Sequence, residues 1–205
     1  MSSSKKPRVR RGPPPEKSIK RRNYRDALPE LMRDFGGRCA YSMQHHVRCG
    51  PLEVDHFDPR LKRELIQNYG NLFPASRHCN GKKSDTWPNK EELASGCRFL
   101  NPCEEMDYGE QVFEDPATHR LVGTTRAAVW HIRVCGLNAD HLVYERRRRA
   151  DHWTEIKRTT VLVKGNHEEV MELIRRFREE VELMIPEIAE VPGNARAEGG
   201  ERIDR

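Results

Sequence analysis

Apolar residues fall at helical spacing in two parts of the chain, separated by a stretch with a different rhythm. Leu28, Leu31, Met32 and Phe35 predict a helix over about 17–35, ended by Gly36-Gly37. Pro29 lies inside that span, so a break into two short helices is open. From Thr124 onward the helical rhythm returns. Thr125 is a candidate cap for a helix carrying Ala127, Val129, Ile132 and Val134, stopped at Gly136. Asn138 is the candidate cap of the next, which runs through Leu142, Val143, Trp153 and Ile156 and carries Arg146 to Arg149. After Gly165-Asn166, apolar residues at 170, 174, 177, 181 and 184 form a narrow seam closed by Pro186. Trp130, Trp153 and this seam read as packing positions, and the four arginines as a solvated face.

The stretch between is rich in His, Cys, Asn and Gly. Gly50-Pro51 is a turn signal, and Leu52-Glu53-Val54 alternates as a short strand does. Ser76 is placed to cap a helix beginning near Arg77, ended by Asp85-Thr86-Trp87-Pro88. The expected organisation is a disordered basic tail at 1–16, an N-terminal helical segment at 17–36, a compact module at 37–90, an irregular connector at 91–123, a helical region at 124–186 and a polar tail at 187–205. This is an α+β chain with no internal repeat.

Charge and composition alter this picture in two ways. The first 25 residues hold ten Lys/Arg and one Glu, whereas the rest is mildly acidic, against an overall +5. A basic arm suits a polyphosphate partner, because each neutralised phosphate releases counterions. A merely solubilising tail is the equal alternative. No run approaches the roughly 18 apolar residues of a membrane span, and the basic start lacks the apolar core of a secretory signal. A cytoplasmic, reducing setting is expected, so the six cysteines are read as thiols rather than disulfides.

The chemistry-bearing residues lie in the middle stretch: Cys39-Ala-Tyr-Ser42, Val54-Asp55-His56-Phe57, Asn71-Leu-Phe-Pro74 and His78-Cys79-Asn80-Gly81-Lys82-Lys83. Each piece alone is weak. Together they supply what phosphodiester hydrolysis needs, a base for water and oxygen ligands for a hard cation. His accepts a proton near neutrality, while Asp and an Asn carbonyl suit Mg²⁺. A strand sends neighbouring side chains to opposite faces. Asp55 and His56 therefore serve one site only if the strand ends there, which Phe57-Asp58-Pro59 permits.

In order and spacing these residues resemble the HNH endonucleases, the ββα-metal family, over about residues 38–88. The resemblance implies a small ββα-metal nuclease module flanked by an N-terminal helix and a C-terminal helical region. It implies His56 as general base, and Asp55 and Asn80 as ligands of Mg²⁺ or a similar divalent cation. Asn71 becomes the central Asn that steadies the loop and orients the base. Arg77 and Lys82 or Lys83 would face the phosphate backbone. The pattern departs at the zinc knuckle, where Ser42 and Ser76 stand beside Cys39 and Cys79. A serine hydroxyl stays protonated and binds zinc poorly. No structural Zn²⁺ is expected at those four positions; His45, His46, Cys49 and His78 are the alternative ligands, and Cys39 and Cys79 read as small buried residues.

Phe99-Leu100-Asn101-Pro102-Cys103 and Cys135-Gly136-Leu137-Asn138 resemble downstream elements of nuclease subunits from Septu-type and retron-associated anti-phage systems. That likeness implies DNA as substrate and an ABC-type ATPase subunit as partner; this chain has no Gly-x-x-x-x-Gly-Lys-Ser/Thr loop, so any ATP chemistry would come from that other subunit. The expected function is metal-dependent DNA cleavage. The rival from another class is a degenerate HNH fold that binds DNA or a partner without cutting. A third reading is an effector that cuts only in complex.

Overall fold

The computed structural model describes residues 9–13, 23–62, 68–104 and 110–162, with 156–162 as helix backbone. The expected tails at 1–8, 14–16 and 187–205, and the apolar seam at 170–184, lie outside the described residues. The described part is a mixture of helices and two small antiparallel strand pairs, as the α+β reading expected.

Residues 9–13 depart from the expectation of a disordered tail. Val9 is buried and its N–H donates to the Pro102 carbonyl. The Arg11 guanidinium lies 4.2 Å from the Phe73 ring centroid and donates to the carbonyls of Tyr69 and Leu72. An arginine on an aromatic face can stay charged while most of its surface leaves water, because the ring quadrupole and the carbonyls replace hydration.

A 3₁₀ turn at Tyr24–Ala27 leads into α1 (Leu28–Asp34), with Pro29 in its first turn, where the missing N–H costs nothing. The proline thus starts α1 rather than interrupting a longer helix. Gly37 (φ +68°) turns the chain back, and a Cβ there would lie 2.8 Å from His45 Nε2. Next comes the short α2 (His46–Cys49), whose N-cap is His45, accepting the Val47 N–H through Nδ1. Burial, then the neighbouring His46, Arg38 and Arg48, push the His45 pKa down from 6.5 to about 4. The unfolded chain protonates this histidine first, so its contribution is full above about 6.5 and is lost as pH falls through about 4. An NMR titration should place the His45 midpoint near 4. A midpoint at the ordinary histidine value would mean that the ring is neither buried nor close to His46, Arg38 and Arg48.

Strand β1 (Leu52–His56) pairs antiparallel with β2 (Leu72–Ser76), in a register that sets Asp55 opposite Phe73 and His56 opposite Leu72. The chain passes directly from β2 into α3 (Arg77–Lys83), where Ser76 accepts the Cys79 N–H at 3.3 Å, as the sequence predicts. Two strands and one helix therefore follow in order, and α3 packs on both strands.

The segment read as an irregular connector holds more structure than expected. Asn89 and Glu92 form a reciprocal capping box on α4 (Lys90–Ala94). Strands β3 (Val112–Glu114) and β4 (Leu121–Gly123) make a second pair. A Cβ at Gly123 would sit 2.6 Å from the Val129 backbone nitrogen, so glycine allows β4 to lie against α5 (Arg126–Val134). Thr125 caps α5 as predicted, accepting from Ala128 N–H.

The last described helix, α6 (Asp140–Leu162), differs from its sequence reading at two points. Asn138 is not its cap; the Asn138 amide instead exchanges two hydrogen bonds with the Leu121 backbone of β4. The arginine run is not one solvated face. Arg146 is buried and donates to the carbonyls of His119 and Leu137, and buried Arg149 pairs with Glu114 of β3. Residues 146 and 149 are three apart and share a helix face, which is fastened to the β3–β4 pair, while Arg147 and Arg148 point to solvent. Among the described residues no helix is long and apolar enough to cross a membrane.

Candidate functional site

Strand β1 presents Glu53 and Asp55 on one face and His56 on the other, as a two-residue period requires. Helix α3 lies across the first face with Asn80 and Lys83, three apart and therefore adjacent on its surface. The contacts pair off: Asn80 Nδ2 donates to Glu53 Oε2 at 3.0 Å, and Lys83 Nζ sits 2.9 Å from Asp55 Oδ2. The Tyr41 hydroxyl also donates to Asp55 Oδ2. Burial, and then the neighbouring Asp55 carboxylate, push the Tyr41 phenol well above its ordinary pKa, so the hydroxyl keeps its proton and remains a donor.

Lys83 is 0% exposed. Its ammonium also donates to the His56 carbonyl at 2.8 Å and lies 5.5 Å from the Phe99 ring centroid. The expectation that Lys83 faces phosphate is therefore corrected: a lysine sealed beside Asp55 has no path to a nucleic-acid backbone. Lys82 is exposed and available to an anion, and Arg77, 90% exposed in its side chain, is partly engaged, with Nε 3.4 Å from Glu53 Oε1. On the far side of α3, His78 and Lys82 border a groove of about 600 Å³ with Val122, Val129 and Arg133.

The strand ends at His56, and the backbone bends at Phe57 and Asp58 before a 3₁₀ turn at Pro59–Leu61. Asn71 fixes this bend. Its Oδ1 accepts the Asp58 N–H at 2.8 Å, its Nδ2 donates to the Asp58 carbonyl at 3.0 Å, and its own carbonyl accepts the Phe57 N–H. One buried amide thereby satisfies both backbone groups of Asp58. The Asp58 carboxylate in turn grips Arg60, with Nη2 to Oδ2 at 2.7 Å, and the guanidinium lies over Trp87.

His56 is 4% exposed, and the Tyr24 ring lies against its imidazole with centroids 4.6 Å apart. The structure thus brings Asp55, Asn80 and Lys83 to one side of β1 and turns His56 to the other, under Tyr24. Glu53, Tyr41 and Tyr24 were missed by sequence reasoning. Glu53 had a readable signal, since it stands two residues before Asp55 in a strand. The two tyrosines had none.

The donor chemistry fits a hard divalent ion. Among the described residues, Asp55 Oδ1 and Asn80 Oδ1 make no hydrogen bond, and both are oxygen donors of the kind Mg²⁺ and Mn²⁺ take. Opposing this, the Lys83 ammonium already balances the Asp55 charge.

The four positions of the expected knuckle do meet. The Cys39 thiol lies among the side chains of Cys79 and Ser42 and the backbone of Ser42 and Ser76. Burial pushes its pKa up, but these polar neighbours outweigh burial and lower the thiol to about 5, while the Cys79 thiol is pushed up. Both cysteines are fully buried, as small core residues are.

Comparison with protein-family models, with curated proteins and with solved structures found no match to this chain.

Proposed function

We propose that this chain is a metal-dependent endonuclease of the HNH type that hydrolyses DNA phosphodiester bonds. In this reading β1, β2 and α3 are its ββα-metal module. The observation that carries it is the placement of Asp55 and Asn80 on a strand and the helix packed across it, where, among the described residues, one oxygen of each makes no hydrogen bond. Asp55 and Asn80 would hold the cation, and a Mg²⁺-like ion there would supply positive charge against the negative charge that builds on the phosphate during hydrolysis. His56 removes the proton from the attacking water, which requires the Tyr24 ring to leave the imidazole and the imidazole to swing from the opposite face of β1 toward Asp55 and Asn80. Asn71 keeps the backbone after His56 in place through Asp58. Lys82 and Arg77 offer exposed cations to the phosphate backbone. The proposed setting is an anti-phage complex in which an ABC-type ATPase subunit gates cleavage.

A second reading is a module of this fold that binds DNA or a partner without cutting it. Two observations favour it: the Lys83 ammonium on Asp55 and the Tyr24 ring over His56. A plasmid assay separates the two. Supercoiled DNA incubated with the purified full-length chain and Mg²⁺ or Mn²⁺ should become nicked or linear, and EDTA should stop this. DNA bound but left intact in both arms would favour the binding module. Cleavage appearing only after a co-purifying ATPase subunit is added would favour the gated effector.

A further inference from the structure

We infer that Glu53 is the positioning residue that turns the Asn80 carbonyl oxygen toward a bound cation. This deepens the endonuclease reading and rests on it.

An asparagine amide presents an oxygen or an NH₂ group according to what its neighbours accept. A carboxylate only accepts hydrogen bonds. With Glu53 Oε2 at 3.0 Å, the NH₂ of Asn80 must face Glu53, and Oδ1 is turned away from it. The carboxylate is itself held from a second direction, with Oε1 lying 3.4 Å from Arg77 Nε in the first turn of α3. Glu53 thus ties two α3 side chains to β1, on the face that also carries Asp55. Without it the Asn80 amide is free to rotate by half a turn, and an NH₂ group aimed at a cation repels it. Glu53 is suited to mutation, because its side chain is 42% exposed and its own backbone is held by pairing with Ala75 across the sheet.

The test uses the full-length chain and Mn²⁺, with binding measured by calorimetry and by the electron paramagnetic resonance signal of free Mn²⁺. E53A should weaken Mn²⁺ binding by roughly ten- to a hundredfold, the usual effect of losing a group that orients a metal ligand. The thermal midpoint should stay near wild type. Plasmid cleavage should need correspondingly more Mn²⁺ and recover at saturation. E53Q keeps an acceptor for the Asn80 NH₂ while losing the charge, so it should bind Mn²⁺ nearly as wild type does. If the wild type binds and cuts while E53A binds equally well, the inference is overturned and the endonuclease reading survives. If E53Q is as weak as E53A, Glu53 acts through its charge or as a direct ligand, and the positioning role is overturned. If the wild type neither binds Mn²⁺ nor cuts, the endonuclease reading falls and takes the inference with it.

Discussion

Replacing His56 by Ala should reduce DNA cleavage by roughly two to four orders of magnitude, the range general-base catalysis contributes, while leaving DNA binding close to wild type. The separation of the two effects follows from where the imidazole sits. It occupies the last position of β1, its ring lies against Tyr24, and none of the exposed cations on α3 is on its side of the strand. Truncation removes a ring from a nearly sealed site, so some loss of stability is expected. His56→Gln, which retains bulk and a polar end without a titrating nitrogen, guards against misreading that loss. Both variants should be inactive, and the Gln form should melt near wild type. Single-turnover cleavage of a labelled duplex and an anisotropy binding curve give the two readouts. Wild-type-like cleavage by a clean preparation of either variant would remove His56 from the mechanism.

The second large effect concerns Lys83. Its ammonium is fully enclosed and makes its contacts with Asp55, the His56 and Ser84 carbonyls, and the faces of Tyr41 and Phe99. Lys83→Met keeps the length of the side chain and deletes the charge. The Asp55 carboxylate is then left with the Tyr41 hydroxyl at a position only 8% exposed. Breaking one half of a buried ion pair typically costs about 3–5 kcal/mol, because the surviving charge remains desolvated. The small exposure of Asp55 puts the expectation at the lower end, about 3 kcal/mol. The double variant Asp55→Asn with Lys83→Met should recover a substantial part of that loss, since no uncompensated charge remains. Urea unfolding with an unchanged m-value measures it. A loss below about 1 kcal/mol would be the value for a solvent-exposed pair, and would mean that water reaches the ammonium.

Local signals were read well from the sequence. Ser76, Thr125 and Gly37 act within a few residues of themselves, and each does in the fold what its position predicts. The capping box of Asn89 and Glu92 was equally local and went unread. Strands β3 and β4 are three residues each, too short to display alternation, and the turn at 116–118 held by Asp115 joins them. The fates of Asn138, Arg146 and Arg149 depend on β3, β4 and the turn joining them, distant in sequence, and no periodicity reveals such partners. The candidate site shows the same division. Asp55, His56, Asn71 and Asn80 were legible because their types and spacing carry chemistry. Lys82 and Lys83 look interchangeable in a string of letters, yet one helical step of about 100° puts Lys83 under the strand and Lys82 in water.

Arg11 has a bearing on how the basic arm meets a polyanion. Its guanidinium is lodged among Phe35, Tyr69 and Phe73, behind the strand directly across from Asp55. That cation serves as an internal rivet and is not offered to phosphate, so counting every lysine and arginine before Asn23 overstates the electrostatic reach of this region. A shortened version of the protein starting at Asn23 would lose the rivet together with Val9, and would bare the aromatic back of the strand pair on which the candidate chemistry is mounted.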